Sequence, residues 1–203
     1  MEEVNKAMIS HDLKCVFIHI PKCAGTSVYK SLKLDFLDSG HAPASKHSEF
    51  LDQGYFSFSF VRNPWDRIAS CYRYFKSMKP KDRWYRGNQK LSELARKIPF
   101  ESFVGMVPEF QKMMIREEGS VRSGIHFQPF SHFLDQPVDY IGKMENISCD
   151  YIKICRKLNI KINPLKKLNS TNPSNYQELY IEETKNIVYN IYEEDIKKYN
   201  YEF

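Results

Sequence analysis

Four residues that could bind an anion follow an apolar stretch near the start of the chain. Residues 15–20 form an apolar run with β-branched side chains, which is typical of a buried strand. A proline ends the run, and Lys22, Gly25, Thr26 and Ser27 follow within six residues. A strand, a tight turn and a helix start direct backbone N–H groups at one place, and this suits a phosphate. Lys22 adds positive charge and the two hydroxyls add donors, so the pattern predicts a loop that binds a nucleotide phosphate.

A second junction of the same kind comes later in the chain. Residues 55–61 alternate aromatic and serine side chains, which predicts a strand, and Arg62 stands at its end. The Asn-Pro pair that follows is a helix-start signal, and Ser70 lies two turns into that helix. Two junctions with basic and hydroxyl residues predict a ligand with two phosphate groups, one at residues 22–27 and the other near Arg62 and Ser70.

The remaining elements predict the fold class. We expect strands at 15–20, 55–61 and 138–144, and helices at 27–37, from Asn63 onward, in pieces within 91–117, at 147–158 and at 182–199, with loops at 38–54, 77–90, 118–130 and 163–175. Strands separated by helices predict an α/β fold, a P-loop-like three-layer sandwich with a central, mainly parallel sheet flanked by helices. We expect one domain over residues 1–203, with residues 1–13 as a loose N-terminal lead-in.

Composition narrows the class of partner. The chain has 203 residues and a net charge of +5, which fits an anionic ligand, while its lysines and arginines are too dispersed to predict nucleic-acid binding.

Five cysteines without metal-site spacing predict a reduced, cytoplasmic protein and no metal site. No apolar stretch approaches 18 residues and the N-terminus lacks the apolar core of a signal peptide, so we expect no membrane span. The inner face of the membrane stays open as a place of action, and oligomeric state is not predicted.

Both junctions resemble a known family of enzymes. IPKCAGTS and FVRNPWDRIASCY are similar to the sulfotransferases that use 3′-phosphoadenosine 5′-phosphosulfate (PAPS). The similarity is closer to the carbohydrate branch, which includes the heparan 2-O- and chondroitin-type enzymes and bacterial relatives. It continues in the same order through later stretches, so that it covers residues 15–203: GH at 40–41, HFQPFSHFL at 126–134, VDYIGKMENI at 138–147, LNST at 168–171 and IYEEDIKKYNYEF at 191–203.

The resemblance implies a donor site and a reaction. The 5′-phosphosulfate would be bound by Lys22, Cys23, Ala24, Gly25, Thr26 and Ser27, where Cys23 replaces a threonine common in the family and contributes backbone, as Ala24 does. The 3′-phosphate would be bound by Arg62 and Ser70, and Asn169 and Ser170 would cover the adenosine or the 3′-phosphate. Such enzymes transfer the sulfuryl group in line to an acceptor hydroxyl without a metal or a covalent intermediate. The expected acceptor is a carbohydrate or glycan, with acidic and lipid-linked sugars and small metabolites all open.

This reaction needs a cation and a base. Charge grows on the leaving phosphate, where Lys22 is the candidate for stabilising it. The acceptor hydroxyl loses its proton, and histidine suits that task near neutral pH. His41 is the first candidate because the related enzymes have a functional histidine in the corresponding loop, and His126 and His47 follow it. For each of them, an ordinary surface histidine is the alternative.

Two other functions remain open at this point. A P-loop phosphotransferase would carry GxxxxGK[ST], but here Lys22 precedes Gly25 and no Gly-Lys pair follows. A nucleotide-binding module without catalysis would keep the same loop. Tight, magnesium-dependent ATP binding would favour the first alternative, and nucleotide binding without transfer would favour the second.

Overall fold

The computed structural model describes residues 8–36, 41–113, 122–163, 165 and 175–203. The chain divides into two compact units, each built from two separate segments. Unit 1 comprises residues 1–62 and 130–169, and unit 2 comprises residues 63–129 and 170–203. The expectation of one domain over the whole chain stays a prediction, and each unit is described by itself.

Unit 1 contains a five-stranded sheet in the order β3-β1-β2-β4-β5. Its strands are β1 (Met8–Ser10), β2 (Cys15–Ile18), β3 (Asp35–Phe36), β4 (Phe56–Val61) and β5 (Tyr140–Lys143). The neighbours β2, β4 and β5 run parallel, whereas β1 pairs antiparallel with both β2 and β3. In this register Ile18 lies beside Ser59, so the loops that follow β2 and β4 leave the same edge of the sheet.

Helices lie between most of these strands in chain order. The α-helices of the described residues are α1 (Gly25–Leu32), α2 (Ser48–Asp52), α3 (Pro64–Ser77), α4 (Tyr85–Lys97), α5 (Phe100–Gly105), α6 (Val107–Lys112), α7 (Phe130–Phe133), α8 (Ile147–Lys157), α9 (Glu182–Ile191) and α10 (Glu193–Lys198). Short 3₁₀ helices lie at Ala44–His47, Arg122–Phe127, Met144–Asn146 and Tyr176–Leu179. The predicted α/β fold, with a mainly parallel sheet flanked by helices, is confirmed. Within the described residues, no helix has both the length and the apolar character that crossing a membrane requires.

Two predictions near the N-terminus are wrong. Residues 8–10 do not belong to a loose lead-in, because they form β1 and pair with β2. The helix predicted at 27–37 ends at Leu32, where Lys33 adopts a left-handed φ of 53°. Leu34 then donates its N–H to the carbonyl of Tyr29, and the chain continues into β3 instead of extending the helix.

Three predicted loops and the last helix also differ from the structure. The loop at 38–54 contains α2, the loop at 118–130 contains a 3₁₀ helix, and α4 begins inside the loop at 77–90. The backbone carbonyl of Asp82 accepts from the N–H of Tyr85, which starts α4 early. The helix predicted at 182–199 is divided at Tyr192, whose hydroxyl donates to the carbonyl of Phe127 at 2.6 Å.

Unit 2 is built on α3, which starts as the sequence predicts. The Asn63 side chain accepts from the N–H of Trp65 at 3.1 Å, and the following proline occupies the first turn. Arg67 is 1% exposed on this helix, and its guanidinium donates to the carbonyls of His126 and Gln128 at 3.1 and 2.8 Å. Because these bonds satisfy a buried charge, they fix the 3₁₀ helix against α3.

Candidate functional site

The turn after β2 places a lysine at a position that usually belongs to glycine. The N–H of Cys23 donates to the carbonyl of Ile20 at 3.3 Å and closes a four-residue turn with Pro21 at its second position. Lys22, at the third position, has a φ of 68°. Proline followed by a positive φ is characteristic of a type II turn, in which glycine or asparagine is preferred at the third position. A left-handed lysine costs roughly 1–2 kcal/mol, and such strain is typical of functional loops.

The start of α1 offers backbone donors. Ala24 precedes the helix with a φ of 60°, and its carbonyl accepts from the N–H groups of Ser27 and Val28 at 3.0 and 3.2 Å. The N–H groups of Gly25 and Thr26 lie in the first turn, where a helix provides no internal acceptor. Together with the positive end of the helix dipole, they fit an anion. The local geometry therefore agrees with a phosphate-binding loop.

Gly25 is the residue on which the histidine after β2 packs. A Cβ on Gly25 would overlap the imidazole of His19. The His19 ring is half-buried and stacks on Phe17, with their centroids 5.5 Å apart. Because the ring is confined from that side, the loop needs glycine at position 25 for space and not for backbone conformation.

His41 lies against the same histidine. Nδ1 of His41 donates to the carbonyl of His19 at 3.0 Å, and the two ring centroids are 4.3 Å apart. In the neutral imidazole this bond places the proton on Nδ1, so that Nε2 carries the lone pair that can accept a proton. The structure thus brings the first candidate base to the residue that starts the phosphate loop.

Arg62 reaches the same loop from β4. Its Nη1 donates to the carbonyl of Lys22 at 3.0 Å, and its side chain is half-buried. The parallel pairing of β2 with β4 explains this contact, because both strands end at one edge of the sheet. Two residues that are 40 positions apart in the chain, Lys22 and Arg62, therefore meet within unit 1.

Comparison with known proteins identifies the family. A model of the sulfotransferase family matches residues 5–202. The chain belongs to the sulfotransferase family. Neither the curated proteins nor the solved structures provided a match.

Membership makes the chain a transferase of sulfuryl groups, and it agrees with the loop geometry of unit 1. The motif resemblance that predicted the family is thereby confirmed. Among the described residues, no group of three or more His, Cys, Asp or Glu side chains is placed to hold a metal ion.

Other predicted residues of this sulfotransferase lie elsewhere. Ser70 is buried on α3 in unit 2, whereas Arg62 belongs to unit 1, so their shared role at a 3′-phosphate stays a prediction. Asn169 and Ser170 lie outside the described residues.

His126 belongs to unit 2, where its ring stacks on Tyr74 with centroids 5.6 Å apart. Its backbone carbonyl accepts from Arg67, so His126 has a clear packing role, and its catalytic role is untested.

His47 is the most enclosed of the candidate histidines. Only 2% of it is exposed, and within the described part of the chain its Nδ1 has no hydrogen-bond partner. Burial lowers the pKa of His47, and the nearby charge of Asp135 opposes that effect. A ring so enclosed is poorly placed to meet a hydroxyl of an incoming acceptor, unlike the half-buried His41.

His19 is not among the functional residues that the sequence predicts. It lies in the apolar run 15–20, yet it stands directly after β2 and contacts Gly25 and His41. The signal was present, because an imidazole in an otherwise apolar run next to a glycine-containing loop calls for a polar partner.

Proposed function

We propose that the chain transfers the sulfuryl group of PAPS to a hydroxyl of a carbohydrate or glycan. Family membership supports sulfuryl transfer, and the contact of His41 with His19 carries the mechanistic part. This contact brings a candidate base to the loop whose N–H groups and lysine suit the phosphosulfate.

In this proposal the phosphate loop holds the 5′ end of the donor. The backbone of Cys23 and Ala24, the N–H groups of Gly25 and Thr26, and the hydroxyls of Thr26 and Ser27 surround the phosphosulfate. Lys22 supplies the positive charge. Arg62 would bind the 3′-phosphate, as the resemblance implies, while its Nη1 donates to the carbonyl of Lys22. Ser70, Asn169 and Ser170 belong to the proposal on sequence grounds alone.

The reaction is an in-line displacement at sulfur. A bond forms between sulfur and the acceptor oxygen, and the bond between sulfur and the bridging oxygen of the donor breaks. His41 takes the proton of the acceptor hydroxyl at Nε2, because Nδ1 already donates to His19. Lys22 stabilises the negative charge that develops on the leaving phosphate, a task that needs no metal in this proposal. Because the transfer to the acceptor is direct, there is no covalent intermediate.

For the acceptor we propose a chemical class, carbohydrates or glycans, and no single compound. The net charge of +5 favours acidic sugars, and a lipid-linked sugar at the inner face of the membrane fits equally. We propose a cytoplasmic location, which is supported by the absence of a disulfide among the five cysteines. Cell fractionation tests the location, and a panel of glycan acceptors tests the class.

Two measurements test the proposal. Calorimetry should show metal-independent binding of 3′-phosphoadenosine 5′-phosphate, and radiolabelled PAPS should label members of a glycan panel. Lys22→Ala should lower kcat by roughly 10²–10³-fold. His41→Ala should lower kcat by roughly 10²–10⁴-fold and leave the Kd of the bisphosphate nearly unchanged.

Arg156→Ala is the matched control, since Arg156 is exposed on α8 in the same unit, and it should retain full activity. Tight, magnesium-dependent ATP binding without bisphosphate binding would overturn the proposal in favour of a phosphotransferase. Bisphosphate binding without transfer to any acceptor would support the non-catalytic module instead.

A further inference from the structure

The segment that carries His41 is attached to the rest of unit 1 a few residues further on. The 3₁₀ helix Ala44–His47 follows His41 after Ala42 and Pro43. Ala44 is fully buried and His47 is almost so, and Pro43 has the fixed φ of its ring, −66°. Only two residues therefore separate His41 from a docked turn, which we call the anchor turn (residues 44–48).

Two consecutive side chains hold the anchor turn. The carboxylate of Asp135 accepts from the N–H of Ser45 at 2.9 Å through Oδ1 and from the hydroxyl of the same serine through Oδ2. Nε2 of Gln136 donates to the carbonyl of Ala44 at 2.9 Å. Both side chains come from the connection between α7 and β5, 90 positions from Ser45 for Asp135 and 92 from Ala44 for Gln136.

The side chain of His41 contacts His19 in two ways. The hydrogen bond from its Nδ1 to the His19 carbonyl is part-buried, and a single bond of this kind contributes about 1 kcal/mol. The ring contact with His19 orients the imidazole but does not fix the backbone that carries it. The anchor turn supports the backbone of His41 from the C-terminal side, through the two residues that link them.

We infer that Asp135 and Gln136 are positioning residues for His41. This inference rests on the proposed role of His41 as the base. The two side chains fix the anchor turn, the turn fixes the short link through Pro43, and the link sets where Nε2 of His41 lies relative to the phosphate loop. Reactions that depend on aligned groups lose about 10²-fold for a displacement of about 1 Å, so loss of the anchor should reduce kcat.

Charged and titratable neighbours do not change this assignment. His47 on the anchor turn and His132 on α7 both face Asp135. Burial lowers the pKa of each histidine, and the carboxylate of Asp135 opposes that effect. Removal of the carboxylate therefore leaves both histidines neutral near pH 7.5, and an Asp135 variant tests the anchor without adding a buried charge.

The test compares Asp135→Ala, Asp135→Asn and Gln136→Ala with the control Asp52→Asn. Asp52 is an exposed carboxylate at the end of α2. We expect Asp135→Ala to lower kcat by at least tenfold with less than a twofold change in the Kd of 3′-phosphoadenosine 5′-phosphate. Asp135→Asn keeps one acceptor oxygen for Ser45 and should recover part of kcat, and the control should match the parent protein.

A double-mutant cycle separates positioning from general stability. In the His41→Ala background, Asp135→Ala should cause no further loss of kcat, because the base it positions is gone. An equal loss in both backgrounds, a parallel loss of bisphosphate binding, or an unchanged kcat in Asp135→Ala would overturn the inference.

A measurement that does not depend on catalysis separates a failure of this inference from a failure of the proposed role of His41 as the base. The ¹⁵N chemical shifts of the His41 imidazole report its tautomer and its bond to the His19 carbonyl. We expect Asp135→Ala to change these shifts and Asp52→Asn to leave them unchanged; identical shifts in all three proteins would overturn the inference. If His41→Ala keeps full kcat, the proposed base is wrong, whatever the shifts show.

Discussion

Arg62 donates a hydrogen bond from Nη1 to the carbonyl oxygen of Lys22 over 3.0 Å. This bond ties the end of β4 to the turn that follows β2. Lys22 also has a positive φ, so the arginine stabilises the backbone of the strained turn at its carbonyl. Arg62 thus supports the first loop in addition to any role toward a second phosphate.

Replacement of Arg62 should weaken donor binding. Hydrogen bonds from charged groups contribute about 1.5–3 kcal/mol, and Arg62→Met removes one that shapes the loop. We expect the Kd of 3′-phosphoadenosine 5′-phosphate to rise by at least tenfold in calorimetry, with a lower melting temperature. Arg62→Lys should recover only part of the loss, because lysine lacks the planar fork of donors. A Kd equal to that of the Arg156→Ala control would contradict the supporting role.

The strain at Lys22 can be measured by comparing two variants of that residue. Lys22→Ala and Lys22→Gly both remove the charge, but only glycine tolerates the φ of 68° without a clash. Glycine loses more entropy on folding, which offsets part of the gain, so we expect Lys22→Gly to exceed Lys22→Ala by about 1 kcal/mol in free energy of unfolding. Urea denaturation measures the difference, and both variants should show the same loss of kcat, roughly 10²–10³-fold. Equal stability would show that the turn relaxes without strain.

Gly25 should not accept even one methyl group. In Gly25→Ala the new Cβ would overlap the His19 ring and push it toward His41, since Phe17 stacks on that ring. We expect the melting temperature to fall, and kcat/KM to fall by at least tenfold when measured with labelled donor. Gly87→Ala is the matched control, because a Cβ there meets nothing within 4 Å and alanine favours the interior of α4. The double variant His19→Ala with Gly25→Ala should regain a normal melting temperature if the clash is the cause.

Burial of His47 predicts a pH dependence of stability. Because the pKa of His47 in the folded protein lies below its usual 6.5, the unfolded chain binds more protons than the folded protein as the pH falls below that value. The free energy of unfolding should therefore decrease from pH 7 to 5. His47→Leu should flatten this decrease, whereas His11→Gln, at an exposed histidine, should retain it. Chemical denaturation at several pH values tests this, and parallel curves for parent and His47→Leu would refute it.

The five cysteines should divide into two classes by reactivity. Cys149 is exposed, and the other four are buried. Burial raises the pKa of the Cys15 thiol to about 11, so that its thiolate is scarce at neutral pH. A maleimide reagent should label one cysteine in the native protein and five after unfolding, counted by mass spectrometry. Cys149→Ser should abolish the native label, and rapid labelling of that variant would argue against the burial of the other thiols.

The sequence indicates the parts of the fold that depend on local signals. The apolar run of β2, the alternation in β4 and the Asn63 cap of α3 each carry their cause within a few residues, and all three elements are observed. β1 and β3 carry no such signal, because two or three residues gain strand structure only by pairing with a neighbour. The end of α1 at Lys33 was missed for a related reason, since a left-handed lysine has no sequence signature.

The candidate site likewise contains residues that local sequence signals predict and residues whose contacts depend on distant parts of the chain. Lys22, Gly25 and Ser27 were found because they share one loop. The contacts of Asp135 and Gln136 with the anchor turn could not be predicted from the sequence, since they join residues about 90 positions apart. His19 was missed although it lies in the motif, because its role depends on which way the ring packs against Gly25.

The pairing of β4 with β5 has a consequence for biosynthesis. Ser57 bonds to Asp139, 82 residues further along the chain, so β4 lacks this neighbour while the intervening residues are translated. At about 5–20 residues per second, the edge of an aromatic strand would stay open for several seconds on the ribosome. A nascent chain in that state is a natural client for chaperones, and truncation before residue 140 should yield insoluble protein.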